Sequence, residues 1–174
     1  MSTPPAKMLV WAGEHCAAIR IIGRANFTSS VDFKALIIEL RQQGRNFFVL
    51  DLAECVLMDS TFLGVLAGFG LKLSAGNGDQ GPHGIELFNP SARIIELLDT
   101  LGVLHLFKVT EGSVNLPEQA EPREHTPASS TKEEVTRTCI EAHQTLMDIS
   151  PANAAKFKDV AQFLAEGLKK PKSE

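Results

Sequence analysis

Over the first 110 residues the apolar positions follow two alternating repeats. Residues 8–11 and 16–22 are short β-rich runs separated by Gly13-Glu14, the pattern of a hairpin. After Asn26-Phe27-Thr28 the period lengthens. Val31, Ala35 and Ile38, with Leu36 and Leu40 beside them, return at helical spacing, and Gly44 ends the run. Ser29, followed three positions later by Asp32, predicts a capping box at the start of this helix. Residues 47–52 are apolar except for Asp51, as expected of a central strand covered on both faces. A second helix is expected from Ser60 or Thr61, then a strand over 84–88, a helix over 90–99 and a last strand over 105–109. The order is ββαβαβαβ. Helices between successive strands imply a mixed, mainly parallel α/β sheet with right-handed crossovers.

Composition shifts at Glu111. Residues 111–130 hold three prolines, a charged cluster and a Ser/Thr cluster, and read as a solvated linker. Beyond it, Val135, Cys139, Ala142, Leu146 and Ile149 form one apolar seam at alternating spacings of four and three. Ser150-Pro151 then reads as the cap and first turn of a second helix, whose apolar side is Phe157, Val160, Phe163, Leu164 and Leu168. The chain thus divides into a domain at 8–110, a linker at 111–130 and a C-terminal helical hairpin at 131–170. Short helices with one apolar face are unstable alone, so the hairpin must cover something. It either docks on its own domain or forms a homodimer through these helices.

The 174 residues suffice for one domain and an appendage, and 44% hydrophobic with 22% charged residues excludes a disordered polymer, a collagen-like repeat and a disulfide scaffold. A formal net charge of −4 gives no reason to expect nucleic acid as a partner. The longest uncharged apolar stretch, residues 60–71, is too short to span a membrane. No basic region leads into an apolar run and cleavage site, so no export signal is expected. Three well-separated cysteines, Cys16, Cys55 and Cys139, suit a reducing cytoplasm. The histidines are scattered. Cys139 and His143, four apart on one helix, make only two ligands, so neither a metal nor any other cofactor is expected. Gly76-Asn77-Gly78-Asp79-Gln80-Gly81 lacks the lysine of a phosphate-binding loop and reads as flexible. Gly64 and Gly68 point to close helix–sheet packing.

Met58-Asp59-Ser60-Thr61-Phe62-Leu63-Gly64 carries the most information. Asp, Ser and Thr are all good N-caps, and capping alone would explain them. Yet a strand-to-helix loop of a parallel sheet lies at its carboxyl edge, where sites gather. A phosphate there would meet free amides and the positive end of the helix. Acyl transfer at Ser60 would need a base and an oxyanion hole. No Gly-x-Ser-x-Gly elbow exists, and no histidine is placed by sequence to serve, so no catalytic residue is assigned.

Asp51-Leu52, the 58–64 segment and Asn89-Pro90-Ser91, in this element order, resemble the STAS domain of bacterial anti-sigma factor antagonists over about residues 8–110. The resemblance implies a non-enzymatic regulator of transcription. Ser60 would be its phospho-acceptor, with Thr61 the fallback, and an anti-sigma factor serine kinase its partner. Asp59, Thr61, Phe62, Asn26 and Phe27 would surround the acceptor at the interface. Phe62 stands where many members have glycine, and Asn26 where many have an acidic residue. The alternatives are a STAS scaffold in a signalling complex without a phosphoswitch, and a small nucleotide-binding or hydrolytic protein.

Overall fold

The computed structural model describes residues 6–75, 84–114, 121–125 and 130–169. Strands β1 (Lys7–Ala12) and β2 (Cys16–Ala25) form the antiparallel hairpin. Met8, Val10, Ala17, Ile19 and Ile21 are buried on one face of it, at the two-residue period of a strand. Helix α1 (Phe27–Gln42) crosses to β3 (Phe47–Asp51), which pairs parallel to β2. The chain continues through β4 (Cys55–Met58), α2 (Ser60–Ala75), β5 (Ile85–Phe88) and α3 (Ala92–Thr100). A 3-10 turn over Leu104–Leu106 then leads to β6 (Lys108–Thr110). Three elements follow: β7 (Arg123–Glu124), α4 (Lys132–Ile149) and α5 (Ala152–Lys169). The sheet order is β6-β5-β3-β2-β1-β7, with β4 paired parallel to the far end of β2. This is the mixed, mainly parallel α/β sheet that the sequence predicts.

Four details differ from the sequence reading. Strand β4 was not expected. It is only four residues long, Cys55-Val56-Leu57-Met58, an apolar run too short to separate from the loop before Asp59, and Val56 is exposed. The capping residue of α1 is Asn26, not Ser29, and Asp32 lies buried one turn inside the helix. The last strand begins at Lys108, because residues 104–106 turn as a 3-10 helix. Strand β3 is covered on one face only. Phe48 and Leu50 are fully buried, but Phe47 and Val49 are half-buried on the outer face, where Arg20 pairs with Asp51 at 2.9 Å and stacks on Trp11. Residues 76–83, which include the glycine-rich segment, lie outside the described residues, as do 115–120 and 126–129 of the linker. Within the linker, Arg123 and Glu124 pair with Val10 and Leu9 on the free edge of β1.

The C-terminal seam meets the chain's own α2. Helix α4 packs on α2 and α1, and α5 packs on α4. Ala142 and Leu146 join the core cluster, with Ile149 and Phe157 packed against it. The seam is therefore filled from within the chain. The side of α5 departs from expectation, since Val160 is 45% and Phe163 75% exposed while Asn153 and Ala161 are buried. Asn153 fastens the hairpin, its Nδ2 donating to the carbonyls of Leu101 and Leu146 at 2.8 Å each. Gly64 and Gly68 of α2 face this helix–helix contact rather than the sheet. A Cβ on Gly64 would lie 2.4 Å from the Ala142 carbonyl oxygen, whereas one on Gly68 would meet Thr145 Cγ2 at an ordinary 3.7 Å.

Gly64→Ala is accordingly expected to destabilise the protein by about 1–3 kcal/mol through overpacking, despite the better helix propensity of alanine. Gly68→Ala, with room for its methyl, is expected to stabilise it by about 0.5–1 kcal/mol. Urea denaturation of the two variants checks the pair; equal effects in the same direction would contradict the packing described.

Candidate functional site

Parallel pairing sets Ala25, the last residue of β2, opposite Met58, the last of β4. Each strand is followed at once by a capping residue and a helix, so α1 and α2 begin side by side. Asn26 Oδ1 accepts from the Ser29 amide at 3.0 Å and the Ser29 hydroxyl at 3.1 Å. Asp59 Oδ1 accepts from the Phe62 amide at 2.9 Å, and the Asp59 amide donates to the Ala25 carbonyl at 3.1 Å, tying the two starts together. The arrangement brings Asn26, Phe27, Asp59, Ser60 and Thr61 into one patch.

Asp59 does the capping, so the Ser60 hydroxyl has no duty toward its own helix. Ser60 occupies the first helical position and is half-buried. Its Oγ lies 2.9 Å from His143 Nε2 on α4. The other ring nitrogen, Nδ1, is 2.7 Å from the Cys139 carbonyl, which can only accept. Nδ1 therefore carries the proton, and in the neutral ring Nε2 is an acceptor for the Ser60 O–H. Next to it, the Thr61 hydroxyl donates to Cys139 Sγ at 3.5 Å, and Thr61 is buried. Phe27 stays 49% exposed beside the patch. Phe62 is 0% exposed, stacked 4.9 Å from Phe33, so its ring is part of the core and not of the surface.

Burial shapes the titration of the patch. It raises the Asp59 carboxyl above its usual range, opposed by the amides of Phe62, Phe27 and Thr61. Burial likewise pushes the Cys139 thiol up; the Thr61 hydroxyl opposes the shift and the Asp59 charge adds to it. Cys139 thus stays a neutral thiol.

His143 and Cys139 are the site residues that sequence reading missed, although both had been singled out as a pair four apart. They meet Ser60 and Thr61 across a sequence separation of about 80 residues, which no local pattern encodes. A Ser–His contact invites comparison with a nucleophile and its base. Here the amides that would stabilise an oxyanion at the start of α2 already face the Asp59 carboxylate. Among the described residues no group of three metal-ligating side chains occurs, and no helix is long and apolar enough to cross a membrane.

No protein-family model and no curated protein sequence matches this chain. Solved structures do. The anti-sigma factor antagonist SpoIIAA in its unphosphorylated form superposes with a TM-score of 0.52 at 18% identity, over 62% of this chain and 89% of that one. The Bacillus cell fate determinant SpoIIAA in its phosphorylated form gives 0.50, 18%, 62% and 92%. The sheet and its helices have the STAS fold of SpoIIAA.

The raised Asp59 carboxyl sets the sign of a pH effect. The folded state holds this proton more tightly than the unfolded chain, so ionisation of Asp59 opposes folding. Its contribution is most favourable below the ordinary carboxylate value, near pH 4, and is lost as pH rises through the folded-state value. Relative to Asp59→Asn, the wild-type protein is expected to lose stability between about pH 4 and pH 7. Denaturant titrations of both proteins across that range check this, and a gain for wild type would contradict it.

Proposed function

With the fold of an anti-sigma factor antagonist as premise, we propose that this chain is one: a cytoplasmic protein, without catalysis of its own, that binds an anti-sigma factor serine kinase and is switched by phosphorylation of Ser60. The observation that carries the reading is the division of labour at the start of α2. Asp59 caps the helix, so the hydroxyl of Ser60 is not used by its own helix and, bonded to His143 of α4, stands half-buried at the helix's positive end. Its oxygen would attack the γ-phosphorus of ATP on the kinase; the bond to ADP breaks and the proton passes to the kinase's base. The kinase supplies metal and nucleotide.

Phosphate at this position gains from the helix dipole, so the start of α2 tolerates it. The surface meanwhile acquires about −1.5 to −2 charges next to Asp59. A partner seated on the neutral patch would bury that charge without a counter-ion, and dissociates. Asp59, Asn26 and the exposed Phe27 flank the acceptor in this reading, while Phe62 supports the start of α2 from within the core. Thr61 becomes available as a contact or fallback acceptor only when Cys139 leaves it.

One observation favours a second reading, that of a STAS scaffold without a phosphoswitch. The Ser60 hydroxyl already has a partner in His143, and anchoring α4 could be its whole role.

Incubation with an anti-sigma factor serine kinase and ATP, followed by peptide mass mapping, separates the two. The switch reading expects phosphate on Ser60, none on Ser60→Ala, and loss of kinase binding in Ser60→Asp. Equal binding by all three forms, with no modification, leaves the scaffold.

A further inference from the structure

The α4–α5 hairpin lies on the same patch that a partner of Ser60 would have to reach. We propose that α4 is a built-in occupant of this surface, and that docked α4 and a phosphate on Ser60 exclude one another. The regulatory meaning of this inference rests on the reading of Ser60 as the acceptor; the mutual exclusion does not.

Three observations carry it. His143 Nε2 stands 2.9 Å from Ser60 Oγ, in the space on that side where a phosphorus and its oxygens would need to be. The neighbouring hydroxyl, on Thr61, is closed off by Cys139 from the same helix. And α4 has no slack with which to make room, because the Ala142 backbone already rests on Gly64 so closely that a methyl group would not fit between them. Packed interiors do not deform continuously, so a bulky anion at Ser60 displaces the helix rather than nudging it.

The hairpin is held by a short set of contacts: Ala142 and Leu146 are fully inserted, Ile149 and Phe157 pack against the core, Asn153 Nδ2 donates to the Leu101 carbonyl at 2.8 Å, and Lys34 on α1 pairs with Glu141 at 2.6 Å in a partly exposed position. Release would uncover Ser60, Thr61, Gly64 and Val65 as one surface, shaped to receive a helix with a small residue over Gly64. Kinase and partner would therefore act on the open form, and phosphorylation, once made, would keep the hairpin open.

The test uses the full chain carrying phosphoserine at position 60, installed during translation, beside the unmodified protein. Amide exchange over residues 132–149 is expected to speed up by about tenfold or more while peptides of β2, β3 and α1 keep their protection. Alkylation of the native Cys139 by iodoacetamide should accelerate in parallel. Ala142→Arg, which leaves Ser60 and its cap intact, should release the hairpin in the same way without phosphate. Unchanged protection of α4 in the phosphoserine protein, with the phosphate turned to solvent, would overturn the proposal, and so would loss of protection throughout the sheet. If phosphoserine frees α4 yet no anti-sigma factor kinase binds or modifies the chain, the exclusion stands and the functional reading falls.

Discussion

A helix that is apolar around its whole circumference has no face to give to water, and α2 is such a helix. From Thr61 to Ala67 every residue is buried. Its buried side chains share one core cluster with those of the sheet and α1, and α4 packs against it. Much else in the molecule answers to this constraint. It requires the small residue at Gly64, it draws the C-terminal hairpin onto its own domain, and it sets His143 and Cys139 over the two hydroxyls at the helix start. Part of the patch around Ser60 is thereby an interior contact, with Phe27 left exposed beside it.

The same junction shows how two adjacent polar residues come to have different fates. Asp59 and Asn26 are equivalent by position, each the residue between a parallel strand and its helix, and each spends its side chain on the helix amides. Ser60 follows the cap and is left with a hydroxyl that its own helix does not use. A site of this kind needs no cavity. It needs one side chain that its own helix does not use, in a field that favours negative charge.

How far the sequence revealed this depended on range. The β1–β2 hairpin, α1, β3 and the start of α2 are written in local periodicity, and the Asp59-Ser60-Thr61 triplet marked the site because polar residues interrupt an otherwise apolar stretch. Strand β4 escaped because four residues, one of them the exposed Val56, hold too little pattern. Phe62 reads as a candidate contact, but its ring stacks 4.9 Å from that of Phe33, 29 residues earlier in the chain and beyond any local cue, and it lies in the core. The partners of Ser60 and Thr61 could have been sought, since a helix as uniformly apolar as residues 61–71 calls for a second cover, and the seam from Val135 to Ile149 was the available one. What the pattern could not supply was the register that sets Ala142 on Gly64 and, with it, His143 on Ser60.

The two-residue strand β7 has a consequence for the reach of the hairpin. By pairing with Leu9 and Val10 it pins the chain at Glu124 to the edge of the sheet, and the cap of α4 is Thr131. Six residues separate the two in the sequence, a leash of about 20–25 Å at full extension. A hairpin let go from its seat stays within that radius, at a local concentration of millimolar order. An outside competitor for the seat thus contends with a rival that never diffuses away, and a weak ligand present at micromolar levels would lose.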